Sequence, residues 1–108
     1  MRIHRFLGHG FLEVVYKDAM QVEFEEDHIP YAREKEFMID YKGIILPHKF
    51  YADFLVMNNI IVEVKASGEG ISNVFIAQTI NYLKISGCSV GLLINFGKTS
   101  LEYKRIVL

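Results

Sequence analysis

Glu63 and Lys65 stand two residues apart in Ile60–Ala66, and Asp53 lies ten residues before Glu63. Acids and a lysine in that pattern have a definite chemistry. Carboxylate oxygens with a main-chain carbonyl hold a hard divalent cation of the Mg²⁺ type. A neighbouring lysine can orient a water or offset charge on a phosphate under attack. Whether the three meet depends on strand register. From Ile60 the alternation puts Ile60, Val62, Val64 and Ala66 on one face and Ile61, Glu63 and Lys65 on the other. In the preceding segment Phe50, Ala52, Phe54 and Val56 share a face, with Tyr51, Asp53 and Leu55 opposite.

A two-residue connection at Asn58-Asn59 would set Phe54 against Glu63 and Val64 against Asp53. A three-residue connection, Met57-Asn58-Asn59, sets Phe54 against Val62, Ala52 against Val64 and Asp53 against Glu63. The apolar match favours the second, since a one-residue slip swaps faces. Asn tolerates the left-handed conformation such a loop needs at its last position. The expectation is a pair of adjacent carboxylates with Lys65 further along their face. Such a pair repels strongly unless a proton or a cation intervenes. Glu and Lys at alternating positions equally describe an ordinary solvated strand face.

The elements that must position these residues follow from periodicity. Leu12, Val15 or Tyr16, Ala19, Met20 and Phe24 recur at helical spacing from Gly10 to about Asp27, and Pro30 ends that helix. Tyr31–Tyr41 reads as a strand, Lys42-Gly43 as a turn, and Lys49–Met57 and Ile60–Ala66 as two further strands. Ser67–Gly70 is a loop. Ser72 is placed to cap a second helix that runs to about Ser86, with Gly87 at its stop. Ser89–Phe96 is a short buried strand, Gly97-Lys98 a turn, and Leu101–Leu108 a last strand. The order is α-β-β-β-α-β-β, an α/β fold with a mixed sheet flanked by helices and one expected domain over residues 1–108.

Asp53 followed by Glu63-Val64-Lys65 resembles the core of the PD-(D/E)XK (restriction-endonuclease-like) nucleases. Gln78-Thr79-Ile80-Asn81-Tyr82 is similar to the Q-x-x-x-Y motif of RecB-like members, and its spacing puts Gln78 and Tyr82 on one helix face. Gly10-Phe11-Leu12-Glu13-Val14-Val15-Tyr16 reads G-x-x-E-x-x-Y. With the EVKA, AQ-x-x-NYL and LLINFG segments it resembles the small bacterial and archaeal GxxExxY proteins of that superfamily, from about Gly8 to Leu108. The resemblance implies a nuclease using Mg²⁺ or Mn²⁺ to hydrolyse phosphodiesters. Asp53 and Glu63 would be metal ligands with the Val64 carbonyl, and Glu13 a third acid, direct or through water. Lys65 would be the catalytic lysine. Gln78 and Tyr82 would support it and contact the nucleotide. Tyr16 shares the Glu13 face, where packing and substrate contact are both open. The chain departs from the pattern at Ala52, where Pro often precedes the acid, and at His9, where Pro is usual. Of the usual N-terminal helix only Met1–Phe6 are expected to remain. A catalytically silent nucleic-acid-binding or assembly module is the alternative.

Other features are weaker. His4, His9, His28 and His48 do not pair at ligand spacing on one element, although His9 lies four residues before Glu13. Gly68-x-Gly70 is too short for a phosphate loop and suits a flexible flap. One cysteine, Cys88, suits a core thiol and a reducing cytoplasm. No apolar run is long enough to span a bilayer. Twelve Lys and Arg against thirteen Asp and Glu give a net charge of −1, without the basic excess of most nucleic-acid binders. The sum includes Glu13, Asp53 and Glu63, so it limits affinity and does not exclude DNA or, second, RNA. A homodimer, a partner protein or a structured substrate is expected to supply the remaining affinity.

Overall fold

The computed structural model describes residues 2–108. Its elements run α1 (Arg2–Leu7), α2 (Glu13–Glu26), β1 (Tyr31–Tyr41), β2 (Ile44–Val56), β3 (Ile60–Lys65), α3 (Asn73–Ser86), β4 (Val90–Asn95) and β5 (Glu102–Val107). The strands form one mixed sheet in the order β1-β2-β3-β4-β5. Only β3 and β4 are parallel, joined by the α3 crossover; the other pairs are antiparallel. On one face of the sheet Ile3, Tyr16 and Met20 of α1 and α2 cover Phe54, Val56, Val62, Val64, Ile94 and Phe96. On the other, Leu83 of α3 packs with Ala52, Leu55, Ile61 and Ile106. The α/β architecture with a mixed sheet and flanking helices is as expected.

Local chemistry accounts for the boundaries. The Ser72 hydroxyl accepts from the Phe75 N–H at 3.2 Å and starts α3, and Gly87, at φ 75°, ends it. The β2–β3 connection has the three-residue length expected. Its left-handed residues are Met57 and Asn58 rather than Asn59, and the Asn59 N–H donates back to the Val56 carbonyl. Positive φ at both central residues is the mirror-image turn that suits the strand twist.

Two expectations about the elements are corrected. Arg2–Leu7 is a short helix of its own, so the chain begins α-α, and Leu12 is an exposed boundary residue outside α2. The part of the expected N-terminal segment at Met1 lies outside the described residues. β2 begins at Ile44, five residues before the expected start at Lys49. Pro47 hid that extension, because proline removes a ladder N–H. The β1–β2 register shifts between Met38 and Asp40, opposite this stretch, and a proline is tolerated at such an irregularity.

A third correction matters for the site. Phe54 meets Phe24 on the α2 side of the sheet, whereas Phe50 stacks on Tyr82 of α3 with ring centroids 4.4 Å apart. Ala52 also lies in the α3-side cluster. The four residues expected to share one face of β2 are therefore divided, and the strand turns over at Asp53. The β1 register, Arg33 against Phe54 and Lys35 against Ala52, sets Glu34 opposite Asp53. Glu34 has φ 53°, a left-handed residue inside a strand. Such residues cost about 1–3 kcal/mol and bend the strand that holds them.

Candidate active site

The β2–β3 ladder has the predicted register, Phe54 against Val62, and it stops there. Past that point side chains replace the backbone pairing. The Asp53 N–H donates to Glu63 Oε2 at 2.9 Å, and the Val64 N–H donates to Asp53 Oδ2 at 2.7 Å. The two carboxylates thus sit between diverging strands, each accepting from a backbone N–H of the other strand. In an extended strand a residue's N–H and C=O point to the same neighbour, so the Val64 carbonyl is turned toward the same gap. Glu63 is 3% exposed. Burial first, then the charge of Asp53, pushes its carboxyl up to about 8, so it holds a proton at neutral pH unless a cation joins it.

Lys65 stands on the α3 side of β3 with Glu63. Its ammonium donates to Gln78 Oε1 at 3.3 Å and lies 4.9 Å from the centre of the Phe75 ring. Four residues along α3, Tyr82 closes a stack of three rings with Phe50 and Phe37. Burial, with the negative charges of Glu63 and Asp53, raises its hydroxyl above the ordinary phenol range. Gln78 and Tyr82 therefore share one helix face as expected, the first holding the lysine and the second within electrostatic range of the acids.

Helix α2 differs from expectation. Glu13 is exposed at the first position of α2 and does not join the pair. Among the described residues no three His, Cys, Asp or Glu side chains gather closely enough to hold a metal ion. The residue that reaches the carboxylates is one turn further on the same stripe. Lys17 donates to Asp53 Oδ1 at 3.0 Å and also to Glu34. Its side chain is 13% exposed. Burial lowers its pKa, but the bonds to Glu34 and Asp53 outweigh that and leave it above the ordinary lysine value. Sequence reasoning missed both Lys17 and Glu34. The signal was present in the i, i+4 relation of Glu13 and Lys17, but it had no meaning without the α2 docking angle.

Of the two roles open to Tyr16, packing and substrate contact, the structure gives packing. It is completely buried, donates to the Gly8 carbonyl at 2.7 Å, accepts from the Phe11 N–H, and stacks on Phe96 at 4.5 Å. The Ser67–Gly70 loop is also tied down and makes a poor flap. Buried Asn95 accepts from the Ser67 and Gly97 N–H groups and donates to the Ser67 carbonyl and to Glu102. Of the histidines, His4 faces the Lys98 carbonyl across 2.9 Å.

Two carboxylates, a carbonyl turned to the same gap and a lysine held by a glutamine are a hard-oxygen donor set beside a cationic group. The group fits a divalent cation in kind: two carboxylates and a carbonyl match its ligand type and charge. The fold and this site define an α/β nuclease-like protein. A family model of the PD-(D/E)XK nuclease superfamily matches residues 1–106, and the chain belongs to that superfamily. Among solved structures it is similar to the crystal structure of SSO0001, with a TM-score of 0.70 and 18% identity over 88% of this chain. It spans 50% of that chain's length, and the likeness concerns the fold. No curated protein matches the sequence. No described helix is long and apolar enough to cross a membrane.

Proposed function

We propose that this protein is a phosphodiester hydrolase acting on nucleic acid, DNA ahead of RNA, with Mg²⁺ or Mn²⁺, and that it is of the GxxExxY, RecB-like kind. The observation that carries this reading is the Asp53–Glu63 pair with Lys65 and its Gln78 partner beside it. A divalent cation here would be held by Asp53, Glu63 and the Val64 carbonyl, with Glu13 as the third acid, and would supply counter-charge and a more acidic water. Lys65 has the charge and reach to steady that water or the phosphate, and Gln78 limits where its ammonium points. Tyr82, within electrostatic range of the acids, would support the lysine and contact the nucleotide. The reaction needs no covalent step on the protein. A net charge of −1 favours a homodimer or a partner protein to supply further phosphate contacts, and the one cysteine, free and buried, suits a reducing cytoplasm.

The test is cleavage of single-stranded, duplex and branched DNA and of RNA with Mn²⁺, comparing the wild type with Lys65→Ala. Cutting by the wild type, lost in the variant while the fold survives, supports the reading. Inactivity on every substrate refutes it. One observation favours a second reading, a silent nucleic-acid-binding or assembly module: Lys17 already supplies a cation to Asp53. Nucleic-acid binding without turnover, unaffected by Lys65→Ala, would mark that case.

A further inference from the structure

Lys17 occupies a specific position on the acid pair. Asp53 Oδ2 is committed to the Val64 N–H, so Oδ1 is the oxygen open to another partner, and Lys17 takes it at 3.0 Å. The same ammonium is shared with Glu34. The β1–β2 register sets Glu34 opposite Asp53, and Lys17 bonds both carboxylates, so they flank it from adjacent strands. The lysine stem comes from α2, which packs through Tyr16 and Met20 on the sheet face opposite α3, so its root stays fixed while its four methylenes can turn.

Resting on the metal-site reading above, we propose that Lys17 is a tethered cation that holds Asp53 in the metal-free protein and must move onto Glu34 for a divalent ion to bind. Two cations on one carboxylate oxygen repel each other, and the flanking Glu34 gives the displaced ammonium a place to go. Lys17 and Glu34 are thus positioning residues that set the threshold for metal loading. The arrangement keeps a partly buried carboxylate paired when no metal is present, because an unpaired one is costly. It also makes loading depend on cation concentration.

Calorimetric Mn²⁺ titration of the intact chain tests this with wild type, Lys17→Met, Glu34→Gln, the double variant and Asp53→Asn. Met keeps the buried stem and removes the charge. Lys17→Met is expected to tighten Mn²⁺ binding about tenfold, equivalent to about 1.4 kcal/mol. Glu34→Gln is expected to weaken it about threefold, since Lys17 then has Asp53 alone. The double variant should bind like Lys17→Met. Affinity in Lys17→Met that stays within about twofold of wild type, or falls, overturns the proposal while leaving the metal reading intact. Heat absent from wild type and Lys17→Met alike, as from Asp53→Asn, overturns the metal reading and this inference with it. A second measurement needs no variant to fold. In ¹³C-labelled wild type, the Lys17 Cε resonance should move with Mg²⁺ at the calorimetric midpoint, and a resonance unmoved at saturation overturns the proposal.

Discussion

Replacing Glu63 by Gln removes a carboxyl that the fold buries beside another carboxylate, and its effect depends on pH in a calculable way. In the unfolded chain Glu63 ionises near 4.5, while in the folded, metal-free protein it holds its proton up to about 8. Between those values the folded state binds a proton that the unfolded state has released. Stability therefore falls as pH rises through the window and levels off above it. At about 1.4 kcal/mol per pH unit, the full window costs the wild type roughly 4–5 kcal/mol. Gln keeps the shape, and its amide oxygen can still accept the Asp53 N–H, but it never ionises. Near pH 5 the two proteins should agree within about 1 kcal/mol, and by pH 9 Glu63→Gln should be more stable by several, about 10 °C or more in melting temperature. The assay is urea unfolding from pH 5 to 9 with a chelator present throughout. Stability curves that stay parallel, with a difference changing by less than about 1 kcal/mol, would show that Glu63 ionises normally. The account of the site as short of a counter-charge would then be wrong.

Two further predictions concern the frame. A Cβ at Gly97 would lie 2.4 Å from the Ser67 backbone, which Asn95 holds through both its N–H and its carbonyl. Gly97→Ala should cost about 3 kcal/mol or more, seen as a large drop in melting temperature; an unchanged melt would mean that the loop is free to move. Tyr16→Phe removes a buried hydroxyl bonded to Gly8 and should cost about 1–2 kcal/mol in urea unfolding. Because the ring has no exposed surface, nucleic-acid affinity should not change, and a large loss of binding would restore Tyr16 as a substrate contact.

Much of this molecule was legible in its residue order. Ser72 and Gly87 bound α3 because capping is a local property, and β3 alternates as written because both of its faces are covered. The apolar match of Phe54 with Val62 was enough to choose the register and bring Asp53 beside Glu63. Gln78 and Tyr82 share a face because helical spacing puts them there. These are short-range rules, and each can be read within about ten residues.

The remainder depended on how the elements dock. Helical spacing places Glu13 and Lys17 on one stripe but cannot say which turn of α2 meets the sheet; packing of Tyr16 and Met20 sets that, and the stripe meets the acids at Lys17. Simple alternation failed on β2 because the strand turns over at Asp53, opposite a left-handed Glu34, and no residue of either segment advertises that reversal. Tyr16 became a core ring for the same reason: Phe96, eighty residues later, covers it. Which acids and lysines could meet was written in the sequence. Which lysine took the place beside Asp53 was set by long-range packing, where contacts distant in the chain share one face.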